Sequence, residues 1–181
     1  MLRLARVLAL ALCAALVGAS TATAQANKFI YAGGGLTVPA GDYKDGGAKT
    51  GYVADVGLGT NLGSGRLFAF ADVFYGKNSY PNDEGSTSLM GGGANLGVQS
   101  SGSSSRVYGY AGLGMQQHKY NPPGGGDGGS STKPYARGAL GISLGSGNTT
   151  FWAEAGYLMG FKDEGYSTAY LPIMAGISIG W

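Results

Sequence analysis

The sequence predicts an all-β protein, specifically a closed, eight-stranded, antiparallel up-and-down transmembrane β-barrel. Three observations lead to this fold class. Apolar residues recur with a period of two in eight segments, short and long connections alternate between these segments, and no sustained helical apolar stripe is present. The composition agrees, because 36 of the 181 residues are glycine and only 12% are charged, whereas an average soluble domain has about 25% charged residues.

Residues 1–24 are predicted to be a signal peptide that is cleaved during export. Arg3 and Arg6 provide its positive end, residues 7–19 form an uncharged apolar run, and small residues at 22–24 provide the cleavage site. The mature chain, 25–181, is then a single outer-membrane barrel domain. It keeps 10 of the 12 Lys and Arg residues against 10 Asp and Glu residues, so its net charge gives no argument for a nucleic-acid partner.

The predicted strands each have roughly the 9 to 11 residues that a tilted strand needs to cross a bilayer. We place them at 28–38, 50–62, 66–76, 87–99, 106–117, 134–145, 149–161 and 169–181. In each strand one face is apolar, and charged residues fall on the other face. We therefore predict that the apolar faces point outward, toward lipid.

The first three strands illustrate this sorting. In the first, glycines at 33–35 weaken the contrast, and the residues assigned outward are Ile30, Ala32, Leu36 and Val38. In the second, the outward residues oppose Asp55 and are Tyr52, Ala54, Val56 and Leu58. In the third, they oppose Asp72 and are Leu67, Ala69, Ala71, Val73 and Tyr75. The inward face of this strand also carries Phe68, Phe70 and Phe74, which we interpret as lumen filler.

The last three strands have clearer alternation. In the sixth, the outward residues oppose Arg137 and are Ala136, Gly138, Leu140, Ile142 and Leu144. In the seventh, they oppose Glu154 and are Phe151, Ala153, Ala155, Tyr157, Met159 and Phe161. In the eighth, they are Leu171, Ile173, Ala175, Ile177, Ile179 and Trp181. Aromatic residues near the strand ends, including Tyr52, Tyr75, Phe151, Phe161 and Trp181, fit the girdles of membrane barrels.

The predicted connections have two lengths. The long ones are 39–49, 77–86, 118–133 and 162–168, and the short ones are 63–65, 100–105 and 146–148. Outer-membrane barrels place short turns on the periplasmic side and longer loops outside, so we expect four flexible surface loops, with 124–131 the most mobile.

The bilayer requires that the sheet close into a barrel, and the number of strands then determines how far side chains fill its lumen. Backbone groups in hydrocarbon must pair within the protein, so a membrane sheet has to close, and eight strands leave an interior that side chains largely fill. Inward glycine relieves crowding beside inward rings. We predict a charge network at the barrel axis, formed by Asp55, Asp72, Arg106, Arg137 and Glu154.

These features resemble the OmpA/OmpX-like family of small eight-stranded outer-membrane barrels of Gram-negative bacteria. The final residues, with Ile177, Ile179 and Trp181 on one face, are similar to the C-terminal signal read by the barrel-assembly machinery, although that family most often ends in Phe. The resemblance implies an outer-membrane location, contact with outer-membrane lipid and lipopolysaccharide, and a monomer.

The predicted function is that of a structural, loop-presenting envelope protein without catalysis, cofactor or metal. The alternatives are a narrow ion or solute channel, a lipid A-modifying enzyme, and a soluble barrel that carries a lipophilic ligand. Some barrels of this class are lipid A enzymes that use His, Ser and a carboxylate. Here the lone mature histidine, His118, has no Ser two residues later, and we interpret it as a solvated loop residue.

Overall fold

A computed structural model describes residues 28–63, 65–102, 104–145, 148–163 and 166–181, so the predicted signal peptide lies outside the described residues. The fold prediction is confirmed: eight antiparallel strands form a closed barrel in sequence order. The strands are β1 Lys28–Ala40, β2 Gly51–Leu62, β3 Leu67–Ser79, β4 Ser86–Gln99, β5 Ser105–Asn121, β6 Ser130–Leu144, β7 Thr149–Asp163 and β8 Tyr166–Gly180. Within the described ranges, no helix has the length and apolarity required of a membrane span.

The barrel closes through β1 and β8. Their antiparallel ladder runs from Phe29 opposite Gly180 to Ala40 opposite Ala169. At its end the backbone N–H of Lys28 donates to the Trp181 carbonyl at 3.1 Å, and that of Trp181 donates to the Lys28 carbonyl at 2.9 Å. No sheet edge is left to face hydrocarbon, as a membrane sheet requires.

The predicted outward faces are confirmed in all the strands for which they were assigned. Apolar side chains cover the outside of the barrel, with Leu140 exposed by 73% and Leu113 by 65%. Even in the glycine-interrupted β1, Ile30 and Leu36 point outward. Such a continuous apolar surface is unfavourable in water but matches lipid acyl chains, so the strands form a transmembrane belt.

Several strands are longer than predicted, and apart from Ser105 at the start of β5 the added residues lie at one end of the barrel. Here we call the end that carries the connections 63–66, 100–104 and 145–148 the short-turn end, and the opposite end the long-loop end. The extra residues lie at the long-loop end, where Lys119 of β5 pairs with Ser130 of β6. Polar strand residues beyond the membrane have no apolar alternation, so the sequence contains no signal that separates them from loops.

The long connections are correspondingly shorter than predicted. They comprise 41–50, 80–85, 122–129 and 164–165, and the last joins Asp163 to its own ladder partner, Tyr166. Ser130 and Ser131, which we included in the most mobile loop, belong to β6. The predicted difference in length between the long and the short connections was therefore too large. The connection between β7 and β8 does not belong to the long class.

The first long connection folds over the barrel mouth. It contains a short helix, α1 (Gly41–Asp45), whose Tyr43 is only 2% exposed. Asp42 Oδ2 accepts hydrogen bonds from the backbone N–H of Ser167 at 3.0 Å and from its hydroxyl at 2.9 Å. These bonds fix α1 to the start of β8, so this connection is a packed cover and not a freely solvated loop.

Candidate functional site: the barrel lumen

Inward glycines make room for inward rings. Gly97 of β4 lies beside Phe68 of β3 in the ladder, and Gly141 of β6 lies beside Tyr108 of β5. A Cβ atom at either glycine would overlap the neighbouring ring. Only glycine allows this close approach, which explains much of the glycine excess in the sequence.

A central ion cluster crosses the middle of the lumen. Arg137 of β6 forms ion pairs with Asp55 Oδ2 at 3.3 Å and with Asp72 Oδ2 at 2.5 Å. Its Nε donates to Asn95 Oδ1 at 2.8 Å, and Asn95 Nδ2 donates to Asp72 Oδ1 at 3.2 Å. The hydroxyl of Tyr31 donates to Asp55 Oδ1 at 3.2 Å. Buried charges that are paired and hydrogen-bonded in this way hold the strands in register.

Glu154 lies closer to the short-turn end than the central ion cluster does. Its carboxylate accepts hydrogen bonds from the hydroxyl groups of Tyr108 at 2.9 Å and Tyr110 at 2.7 Å. Among the described residues no cation forms an ion pair with it. We predicted that it would pair with the other charges, but it is bound by tyrosines instead, and Tyr110 lies between Glu154 and the Arg137 guanidinium.

Arg106 also stands apart from the central ion cluster. It lies at the start of β5, on the short-turn rim, where its Nε donates to the Gly102 carbonyl at 2.9 Å. The prediction that it joins the lumen network was wrong because period-two alternation identifies the face of a strand but not the height of a residue along the barrel axis.

The lumen between the central ion cluster and the long-loop end is filled. We call the buried side chains there the apolar plug: Val53, Phe74, Leu89, Tyr135, Leu158, Tyr170 and Met174. The ring of Phe74 packs edge-on against Tyr135 at 5.7 Å between centroids. A cavity of only about 20 Å³ remains next to Arg137. The side chains of this half are buried against one another, and the filler interpretation holds for Phe74.

The opposite half of the lumen contains a cavity of about 260 Å³, here called the vestibule. Its walls are mostly aromatic and include Phe29, Tyr31, Phe68, Phe70, Tyr108 and Trp152, with Glu154 on one wall. Lys28, Arg106 and Trp181 lie at its rim, at the short-turn end. Phe68 and Phe70 are thus wall residues, and the predicted side-chain filling does not extend to this half.

The position of His118 corrects our interpretation of it. It lies within β5, on the inward face opposite Ser131 of β6, and its Nε2 is buried. In the described part of the chain it makes no hydrogen bond to a serine or a carboxylate. Those residues also contain no group of three His, Cys, Asp or Glu side chains that could hold a metal ion.

Sequence reasoning missed the neutral partners of the lumen charges. Asn95, Tyr31, Tyr108 and Tyr110 all lie on inward faces, and the period-two pattern contains that signal. The pattern does not state which inward residues of different strands meet, because that depends on the ladder register. Ile177 and Ile179 point outward, and Trp181, at the vestibule rim, is exposed. The role of these C-terminal residues in assembly remains a prediction.

The fold and the lumen define a class, the small eight-stranded outer-membrane barrels of OmpA/OmpX-like architecture. Similar solved structures include Neisserial surface protein A (TM-score 0.70, 16% identity, covering 85% of this chain and 97% of that one). A major outer membrane protein of Thermus thermophilus has a TM-score of 0.62, 12% identity, and coverage of 87% and 100%. Ail, the attachment invasion locus protein of Yersinia pestis, has a TM-score of 0.57, 14% identity, and coverage of 87% and 100%. No protein-family model and no curated sequence matches the chain.

Proposed function

We propose that this chain is an integral outer-membrane protein that acts structurally in the bacterial envelope, presents its long connections at the cell surface and does not conduct solutes. The observation that carries this proposal is the lumen. The central ion cluster and the apolar plug occupy it in series, and α1 packs at the long-loop end against β8. An aqueous path requires polar space along the whole axis, and both layers oppose one.

The proposed orientation places the short-turn end in the periplasm, as in other outer-membrane barrels. Export through residues 1–24 would deliver the chain to that compartment. The C-terminal residues Ile177, Ile179 and Trp181 would then be the signal that the barrel-assembly machinery reads. We expect the assembled barrel to be a monomer, because its apolar belt surrounds it and is satisfied by lipid on all sides.

Lysines above the belt fit contact with outer-leaflet lipopolysaccharide. Lys77 of β3 and Lys119 of β5 both point outward and are each paired with Ser88 of the intervening β4. Two strand spacings separate the lysines, or about 10 Å. Tyr52 and Tyr75 contact each other on the same side, with ring centroids 6.4 Å apart. Cations just outside an aromatic girdle suit the phosphate groups of lipid headgroups.

Planar-bilayer recording tests the closed lumen. Purified, refolded protein is expected to give no discrete conductance steps. A variant in which Tyr135, Leu158 and Tyr170 are all replaced by Ala removes much of the apolar plug and should still give no steps, because the central ion cluster remains. Discrete steps from the native protein that disappear when Arg137 and Glu154 are both altered would support the channel alternative instead.

The absence of catalysis is tested separately. Mass spectrometry of lipid A from cells with and without the protein is expected to give the same acyl pattern. A His118→Gln variant serves as the control, since an acyl change that depends on His118 would establish the enzyme alternative. Carbonate extraction should leave the protein in the membrane, and its release would contradict integral insertion.

A further inference from the structure

We propose that the vestibule binds a small organic cation, with its ammonium group between Glu154 and the surrounding rings. The site is a single cavity of about 260 Å³, with mostly aromatic walls and one carboxylate. Binding does not depend on the proposed envelope function, although access from the periplasm rests on the orientation proposed above.

The lumen charges leave Glu154 as the anchor for a cationic guest. Three inward carboxyl groups lie near the guanidinium of Arg137, those of Asp55, Asp72 and Glu154, while the inward Lys133 is buried in the long-loop half and Lys28 and Arg106 line the vestibule rim. That guanidinium contacts both aspartates, whereas Glu154 has no ion-pair partner among the described residues. A carboxylate in a surrounding of low dielectric gains more from a nearby cation than it would in water.

Two cationic side chains at the rim keep their charge but do not pair with Glu154. Lys28 is exposed, and the Nε of Arg106 donates to the Gly102 carbonyl. Charges at a solvent-exposed mouth are screened by salt, and a charge deeper in the barrel is screened less. An ammonium group that passes the rim therefore meets a carboxylate that has no ion-pair partner among the described residues.

The geometry around Glu154 prepares the carboxylate for this guest. The hydroxyls of Tyr108 and Tyr110 each donate to one carboxylate oxygen, at 2.9 Å and 2.7 Å, and fix its orientation. Each oxygen has two lone pairs, so each keeps one for a further donor. Two tyrosine hydroxyl groups thus hold a carboxylate that faces the cavity, which is the arrangement expected of a binding site.

The aromatic walls supply the second half of the recognition. An ammonium group over a ring face is attracted by the negative face of its π system. The same lumen already contains this interaction, because the Arg137 guanidinium carbon lies 5.6 Å from the Phe70 ring centroid and 5.2 Å from that of Tyr110. The vestibule side has Phe68, Tyr108 and Trp152 in addition.

The cavity volume limits the size of the guest. At about 30 Å³ per water molecule, the vestibule corresponds to about nine waters. It therefore fits a cation with on the order of ten non-hydrogen atoms, such as a benzylic or short alkyl ammonium. Lipids and peptides are too large to be enclosed.

Fluorescence titration provides the test. The chain has two tryptophans, so Trp181→Phe leaves Trp152, in the vestibule wall, as the only reporter. Folded protein in detergent is titrated with benzylammonium, and a saturable change in Trp152 emission is expected. Benzenesulfonate and benzyl alcohol are the anionic and neutral comparison probes, and both should bind at least about tenfold more weakly.

Matched variants in the same background locate the site. Glu154→Gln should weaken benzylammonium binding by about tenfold, whereas Asp127→Asn, the same charge change in the 122–129 connection, should leave it unchanged. Ser178→Leu fills the vestibule with Glu154 intact and should abolish the response. Heat-modifiable gel migration verifies folding of each variant. Equal binding of benzenesulfonate, or unchanged binding in Ser178→Leu or in folded Glu154→Gln, would overturn the proposal.

Discussion

The two halves of the lumen are built from the same strands but are filled in opposite ways. Toward the long-loop end, the apolar plug leaves almost no space and α1 packs over it. Toward the short-turn end, aromatic walls enclose a vestibule of about 260 Å³. The central ion cluster of Arg137, Asp55 and Asp72 separates them. From this comparison we expect side-chain substitutions to destabilise the filled half more than the half that contains the vestibule.

The largest expected effect is at the boundary between the halves. Arg137→Ala leaves Asp55 and Asp72 buried and unpaired, and we expect it to lower the free energy of unfolding by about 3–5 kcal/mol. Arg106→Ala, at the vestibule rim, should change it by less than about 0.5 kcal/mol. Urea unfolding in lipid vesicles, followed by tryptophan fluorescence, measures both. Similar losses in the two variants would show that the central ion cluster has no special role.

Truncations in the two halves should differ next. Leu158→Ala opens a void in the apolar plug, where the side chain is 3% exposed, and should cost about 3 kcal/mol. Phe29→Ala removes a ring that already borders the vestibule, so it adds little new void and should cost about 1 kcal/mol. The same unfolding assay applies. The contrast fails if the Phe29 variant loses as much stability as the Leu158 variant.

Adjacent glycines on β1 sharpen the comparison at the wall of the barrel. Gly35 faces inward next to Met174 of the apolar plug, and an added Cβ would overlap the Ile173 carbonyl oxygen. Gly35→Ala should therefore cost about 1–3 kcal/mol. At the outward Gly34, the nearest atom would be 3.1 Å from the Cβ, and Gly34→Ala should cost less than about 1 kcal/mol. Equal losses of stability in the two variants would mean that the β1 backbone moves to accommodate the added Cβ atom.

The smallest expected effect is at α1, which lies at the long-loop end. Asp42→Asn weakens the two hydrogen bonds from Ser167 to the Asp42 carboxylate and should destabilise α1 locally by about 1 kcal/mol. Amide hydrogen exchange should accelerate within 41–45 and remain unchanged in the vestibule strands. An Asp45→Asn variant is the matched control, and uniform acceleration along the chain would contradict a local role.

The sequence predicted the barrel and its two faces because lipid imposes a strict contrast on every membrane residue. The outward assignments of Ile30, Leu140 and Ile177 depend on that contrast alone. The strand ends at the long-loop side were not predictable. Residues there, such as Lys119 and Ser130, are polar, and polar residues outside the membrane occur in strands and in loops alike.

The lumen was predictable only in part. The inward positions of Arg137, Asp55 and Asp72 follow from strand alternation, and so does that of Glu154. Their partners depend on register and on the stagger of the closed barrel, which link residues as distant as Tyr108 and Glu154. For that reason the separate Glu154 site and the vestibule could be recognised only from the three-dimensional arrangement.

The central claim is that the apolar face of each strand contacts acyl chains. The one cysteine of the chain, Cys13, lies in the predicted signal peptide, so single-cysteine variants of the mature chain can be spin-labelled cleanly. In nanodiscs, a nitroxide at Leu140→Cys should be broadened by lipid-soluble oxygen and protected from a water-soluble nickel chelate. Strong broadening by the nickel chelate with little effect of oxygen would contradict the account.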